Sequence, residues 1–368
     1  MMRERPLPAI LLVLSVVLAL AGCASPRAGS QPEVPAAVPG QRPLTELTPV
    51  PDPRAYRGPS TAVLAQPDIE PITRDPAQRL PVTVADYQGT SVTVTDTSRI
   101  LAFDMSGTLG ATVFGLGLGG KVVGRDQSTG FPAAARLPLV TGNGHQLNAE
   151  AVLRLRPSVV LTDTTLGPWD VVLQLRSSGV PVVVVDPKRG MDNNGELVTS
   201  VANALGVPDA GAALADRLDR QIEQKKAEVA RLVPADEAKR PRAMFLYVRG
   251  QAGVYYAFGK GSGVDSLFAA LGVVDVAVEV GIDGMRPLNP EALAKARPDL
   301  ILMMSKGLES VGGVPGALTI PGIAQTPAAS QQRFVDMSDY QILGFGPLTP
   351  GVLDALARAI YAPDSLHG

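Results

Sequence analysis

The feature that most constrains this chain is a repeat of about fifteen residues, one copy in each half. Leu147–Leu161 and Leu288–Leu302 share a pattern: an asparagine (Asn148, Asn289), a glutamate two residues later (Glu150, Glu291), an Arg-Pro pair (Arg156-Pro157, Arg297-Pro298) and a closing apolar run. Each asparagine suits a helix N-cap, and Pro290 suits the first helical position. Each glutamate falls in a first turn, where the helix dipole favours negative charge. The Arg-Pro pair ends the helix because the residue before proline is pushed out of the helical region. The copies lie 141 residues apart (147 to 288), too far for stacked solenoid repeats and suited to two lobes of similar build.

The rest of the chain fits that frame. Val82–Ala85 and Val92–Thr95 alternate apolar and polar residues across Gln88-Gly89-Thr90, a hairpin pattern. Short apolar runs then alternate with helical patterns: Ile100–Phe103, Val122–Gly124, Val159–Thr162, Val182–Val185, Ala243–Val248, Leu300–Met304 and Phe334–Met337. Unbroken runs such as Val182–Val185 suit strands buried on both faces of a parallel sheet. Between the two groups, Asp209–Val233 has no glycine after Gly211 and no proline before Pro234. It predicts one long helix with Asp209 as N-cap and an Asp216–Arg220 pair. The expected fold is α/β, with two Rossmann-like lobes of mainly parallel sheet joined by a rigid helix. The predicted divisions are 1–22 leader, 23–79 spacer, 80–208 first lobe, 209–233 interlobe helix, 234–362 second lobe and 363–368 tail.

The beginning of the chain carries a different signal. Arg3 and Arg5 precede the apolar run Ala9–Leu20, and Leu20-Ala21-Gly22-Cys23 follows. About twelve apolar residues are too few to span a ~30 Å hydrocarbon core, and the arrangement is that of a secretory leader. The break resembles a bacterial lipobox, which predicts acylation of Cys23 and a chain tethered by lipid to the extracytoplasmic face of the cell membrane. Residues 24–79 are dense in proline with little apolar periodicity, and read as an extended spacer unable to bury a core.

Composition narrows the chemistry. A net charge of −2 gives no footprint for nucleic acid. One cysteine excludes an intramolecular disulfide and a cysteine-rich metal site. Of two histidines, His367 is penultimate, so only His145 is usable for a Ser-His-Asp triad or zinc. Gly115-Leu116-Gly117-Leu118-Gly119-Gly120 matches a dinucleotide fingerprint, but follows a helical run and precedes a strand, the reverse of the required context. It reads as a helix end and turn. No catalytic residue and no catalytic cofactor are expected.

Two positions stand out. In the run ending at Arg249, Tyr247 and Arg249 are two apart and project from one face of a strand. A guanidinium beside a phenol favours the phenolate, a good ligand for ferric iron. The end of a strand in an open α/β sheet is where ligand crevices form. The alternative is a tyrosine packed at the sheet edge and covered by arginine. His145 sits in the glycine-flanked loop Gly142–Asn148, where one ring nitrogen can ligate while the other bonds a neighbour, although a loop histidine alone is more often a surface residue. Trp169, Tyr255 and Tyr256 can wall a flat aromatic ligand or simply pack.

The lipobox, the spacer, the two α/β lobes on one helix and the paired glutamates together resemble the helix-linked class of ABC-transporter substrate-binding proteins, importers of iron–siderophores, cobalamin and haem. The resemblance covers residues 82–361. It implies that Glu150 and Glu291 dock onto arginines of a permease, with an associated ATPase; a first-turn glutamate stabilising its own helix is the local alternative. Gly142–Asn148, Phe245–Gly250 and Gln341–Pro347 further resemble the haem-binding lipoproteins of actinobacterial haem uptake. This implies haem as transported ligand, received free or from a haem-donor protein, with His145 and Tyr247 as axial ligands and Arg249 in support. A ferric siderophore or a corrinoid on the same fold, a cell-envelope hydrolase and an interaction lipoprotein are the other readings.

Overall fold

The computed structural model describes residues 40–142 and 144–366, so the leader, Cys23, the start of the spacer and His367 lie outside the described residues. Strand β1 (Ser60–Ala62) comes first, followed by the hairpin β2 (Val82–Ala85) and β3 (Ser91–Val94). Its turn is held by Asp86, whose Oδ1 accepts the Gln88 and Thr90 N–H groups at 3.0 and 2.8 Å. Strands β4 (Ile100–Phe103), β5 (Val122–Arg125), β6 (Val159–Thr162) and β7 (Val182–Val184) form an all-parallel sheet in the order β5-β4-β6-β7. The second lobe contains β8 (Arg242–Arg249), β9 (Val254–Phe258), β10 (Val274–Asp275), β11 (Met285–Pro287), β12 (Leu300–Met304) and β13 (Phe334–Met337). Here β13, β12 and β8 run parallel, while β9 and β11 turn antiparallel at one edge.

The expected α/β fold and the strands read from apolar runs are what the structure contains. The glycine run closes α1 (Thr108–Gly115) and a 3-10 turn before β5, as its context required. Both repeat helices form: α2 (Ala149–Arg154) is capped by Asn148, which accepts from Ala151 N at 2.9 Å. In the second lobe, Asn289 caps the helix Pro290–Ala296 by accepting from Glu291 N and Ala292 N. The equivalence extends to backbone detail, since Arg156 and Arg297 both adopt the left-handed conformation (φ 44° and 50°) before their prolines.

Two expectations are corrected. The proline-rich stretch is not an inert spacer from residue 44 onward. Leu44 and Leu64 are fully buried in the second lobe's core, and β1 adds to its sheet beside β13. Buried Arg333 fixes this segment by donating to the Ser60 hydroxyl at 2.8 Å and to the Ala359 carbonyl at 2.7 Å. Isolated leucines between prolines have no period to detect, yet each can fill a cavity singly. After α3 (Trp169–Ser177) and α4 (Asn194–Ala204), the long helix α5 spans Pro208–Ala230, with Val207 rather than Asp209 at its cap and no side-chain cap bond. Asp209 sits in the first turn and pairs with Arg79, and Asp216 and Arg220 make no ion pair among the described residues. Pairing falls further along, where Lys225 binds Glu228 and Asp354.

Helix α5 is set into both lobes. Leu214 and Leu218 are buried in the first lobe's core, and one turn later Ile222 and then Val229 are buried in the second's. Burying a leucine or isoleucine contributes about 1.5–3 kcal/mol, so the helix is held at both ends by apolar packing. Asn194, at the start of α4 (Asn194–Ala204), adds a buried bond between lobes by accepting from Gly346 N at 2.9 Å. No helix among the described residues is long and apolar enough to cross a membrane.

Candidate functional site

The strands of both sheets end toward loops that carry the polar residues. In the second lobe, Tyr247 and Arg249 leave β8 on one face, as their spacing requires. The Arg249 guanidinium carbon lies 4.4 Å from the Tyr247 ring centroid, a stacked cation–π arrangement. Its two terminal nitrogens are occupied: Nη1 donates to the Val248 carbonyl at 2.8 Å, and Nη2 to Asp339 Oδ1 at 2.6 Å. Gly307 makes the first bond possible, since a β-carbon there would lie 2.9 Å from the Val248 oxygen and 3.2 Å from Nη1. Half-buried Tyr247 packs against Phe258 with centroids 6.5 Å apart, and pairs in register with Tyr256 on β9.

The first lobe supplies His145. Its loop closes through a Gly142 N–H bond to the Gln146 carbonyl at 2.7 Å, and Gly144 takes the left-handed conformation (φ 70°) that a side chain resists. The ring is half-buried, and its Nδ1 is buried without a hydrogen-bond partner among the described residues. Burial pushes the imidazole pKa down, the Arg249 cation adds to this, and Asp339 opposes it. These influences require His145 of one lobe to lie within electrostatic reach of Arg249 and Asp339 of the other. A depressed pKa keeps the ring neutral at pH 7, with a nitrogen lone pair available to a metal.

Asp339 was not anticipated from the sequence. It stands two residues past β13, and its carboxylate is also held by the Lys306 N–H at 2.9 Å. Its neighbour Tyr340 links the lobes: the phenol oxygen accepts from Gln127 at 3.1 Å and from Lys306 Nζ at 2.8 Å. A β-carbon at Gly130 would lie 2.5 Å from the Tyr340 ring, so the ring packs directly on first-lobe backbone.

A second feature missed by sequence reading lies in the first lobe. Asp104, Asp126 and Asp163 each follow a parallel strand immediately, and the three are buried together with Arg189. Arg189 Nη2 donates to Asp163 at 2.7 Å and to Asp104 at 3.2 Å. Burial and the Asp104 charge raise the Asp126 carboxyl pKa to about 7 and that of Asp163 to about 6. An aspartate directly after the runs Ile100–Phe103 and Val159–Thr162 was the available signal.

The remaining candidates separate clearly. Trp169 packs on the first lobe's outer core with the Arg176 guanidinium 5.9 Å from its ring, and Tyr255 packs on the second lobe's outer core. Neither shares the contacts of Tyr247; only Tyr256 shares its sheet face. Glu150 and Glu291 are exposed on their helices' first turns. Glu150 makes a long contact of 3.8 Å to Arg154, while the Glu291 side chain makes no ion pair among the described residues.

Comparison with known proteins gives this geometry a context. Residues 107–340 match the family described as periplasmic binding protein. The solved structure of the heme-binding protein HmuT is 40% identical, covering 84% of this chain and 99% of its own, with a TM-score of 0.80. HmuT variants in which one arginine, one histidine or one tyrosine is replaced by alanine match comparably, at 39–40% identity. The periplasmic heme-binding protein RhuT from Roseiflexus sp. RS-1, in its apo form, is 36% identical over 73% of this chain and 99% of its own, with a TM-score of 0.66. BhuT in complex with two hemes is 33% identical over 73% and 98%, with a TM-score of 0.62. No curated protein matches the chain. From two lobes on a shared helix, strand ends that converge from both sides, and a likeness that spans nearly the whole of these relatives, the chain belongs to the periplasmic binding protein family, as a homologue of HmuT, RhuT and BhuT.

Proposed function

We propose that this chain is an extracytoplasmic haem-binding protein that delivers haem to an ABC importer. The observation that carries this reading is that His145, its Nδ1 buried without a hydrogen-bond partner among the described residues, lies within electrostatic reach of the Arg249 that stacks on Tyr247 in the opposite lobe. A neutral imidazole and a phenolate are suited to two faces of one ferric haem. Tyr256 and Phe258 extend the Tyr247 side of the sheet with aromatic surface suited to a flat macrocycle. Arg249 stacks on the Tyr247 ring and holds its positive charge on that side of the site.

The relatives support the same reading. HmuT, RhuT and BhuT are heme-binding proteins, and the HmuT arginine, histidine and tyrosine variants name the residue types that converge in this site. The tyrosine and arginine replaced in HmuT stand two positions apart, the spacing of Tyr247 and Arg249. In this proposal acylated Cys23 tethers the protein to the membrane. Exposed Glu150 and Glu291, one per lobe, meet cations of the permease, whose ATPase drives uptake. The test is titration of purified protein with ferric haem. One saturable, high-affinity Soret transition is expected. Saturable binding of a ferric siderophore or a corrinoid with no haem transition would replace this reading with its nearest alternative.

A further inference from the structure

We propose that Asp339 is a positioning residue of the ligand site, holding the Arg249 guanidinium against the Tyr247 ring. The inference rests on the reading that Tyr247 ligates haem iron, and adds a residue that neither the repeat nor the sequence motifs indicate. Arginine is long and rotamer-rich, so its placement over a ring needs fixed partners. Here the short bonds go to its own strand's Val248 carbonyl and to Asp339, the only carboxylate that pairs with it among the described residues, and a longer contact of 3.9 Å reaches the Met304 sulfur.

The carboxylate is itself immobilised. One oxygen takes Arg249 Nη2 at 2.6 Å and the other the Lys306 backbone N–H at 2.9 Å, so the ends of β8, β12 and β13 meet on one side chain. That side chain is only 9% exposed, which shields the ion pair from water and strengthens it relative to a surface pair. With both oxygens engaged, Asp339 is not a ligand to the iron; it acts through Arg249. Gly307 backs the arrangement, because a larger residue would press on the Arg249 nitrogen that bonds Val248.

The experiment is a double-mutant cycle read by ferric haem affinity and by the iron–tyrosinate bands in resonance Raman spectra. Asp339→Asn is expected to weaken haem binding about tenfold, the scale of outer-shell partners at metal sites, and to shift those bands. In an Arg249→Ala background the same change is expected to alter affinity by no more than about twofold, since the group it positions is gone. Asp339→Glu, which keeps the charge, should recover part of the loss. Thermal unfolding verifies that each variant is folded, and Asp339→Ser replaces the asparagine variant if that one is not. Additive losses in the cycle, or wild-type affinity and bands in Asp339→Asn, would overturn the positioning role while leaving tyrosine ligation intact. Absence of the iron–tyrosinate bands from the wild-type complex would overturn the ligation reading and this role together.

Discussion

The two lobes solve the same problem in different ways. The first lobe's main sheet is all-parallel with four strands, and the lobe contributes one histidine on a glycine loop, its Nδ1 without a partner among the described residues. The second lobe is a mixed sheet of seven strands, and its contribution is a built network: Tyr247 under Arg249, Arg249 on Asp339, and Asp339 on the Lys306 backbone. In the proposed site, the preorganised side chains of the second lobe would define ligand position and the histidine of the first would close the coordination. Both lobes nevertheless share α5 and present equivalent exposed glutamates, so they differ in sheet and site residues but match at these exterior positions.

The widest effect follows from the shared exterior. Glu150→Ala combined with Glu291→Ala should abolish haem-dependent uptake through the transporter while leaving haem affinity unchanged, because both carboxylates are exposed and neither pairs with Arg249 among the described residues. Uptake assays beside spectroscopic titrations measure this. Loss of haem binding by the folded double variant would place the glutamates in the ligand site and break the symmetry of the exterior.

The shared helix gives the next effect. Leu218 and Ile222 lie one turn apart on α5, yet belong to different cores. Leu218→Ala and Ile222→Ala should each cost about 2–5 kcal/mol, as buried leucine or isoleucine truncations do. Because both lobes hold the helix, denaturant unfolding should remain a single transition in either variant. A separate early transition confined to one lobe would show that the lobes fold independently of the strut.

The smallest effect tests the buried carboxylates of the first lobe. Asp126 has a folded pKa of about 7 against an ordinary 3.8. Its contribution to stability is therefore fully present below the ordinary value and lost as pH rises through about 7. Asp163, at about 6, acts in the same direction. Melting temperature should fall from about pH 4 to about pH 7 in the wild type, and Asp126→Asn should flatten part of that slope. An unchanged slope would remove Asp126 as a contributor.

What was legible in the sequence followed from local physics. The valine run of β7, the hairpin turn at Gln88-Gly89-Thr90 and the asparagine caps each depend on residues within a few positions of one another, and all formed as expected. Tyr247 and Arg249 were visible as a pair because strand geometry alone puts them on one face. Asp339 was not, since it reaches Arg249 across 90 residues of chain and only the adjacency of β8, β12 and β13 brings them together. The same holds for β1, whose Thr61 hydroxyl bonds Asp336 across 275 residues, and whose proline-rich surroundings masked its place in the sheet. The N-cap expected at Asp209 failed because Pro208, preset for the first helical turn, starts the helix two residues earlier than that cap would.

The central claim is that each lobe gives one axial ligand to a single iron. Absorption and resonance Raman spectra of ferric haem bound to the wild type, Tyr247→Phe and His145→Ala test it most directly. Tyr247→Phe preserves the ring and its packing while removing the oxygen, so the account predicts loss of the iron–tyrosinate bands. His145→Ala should retain those bands in a five-coordinate complex of weaker affinity. Wild-type spectra from both variants would contradict the account.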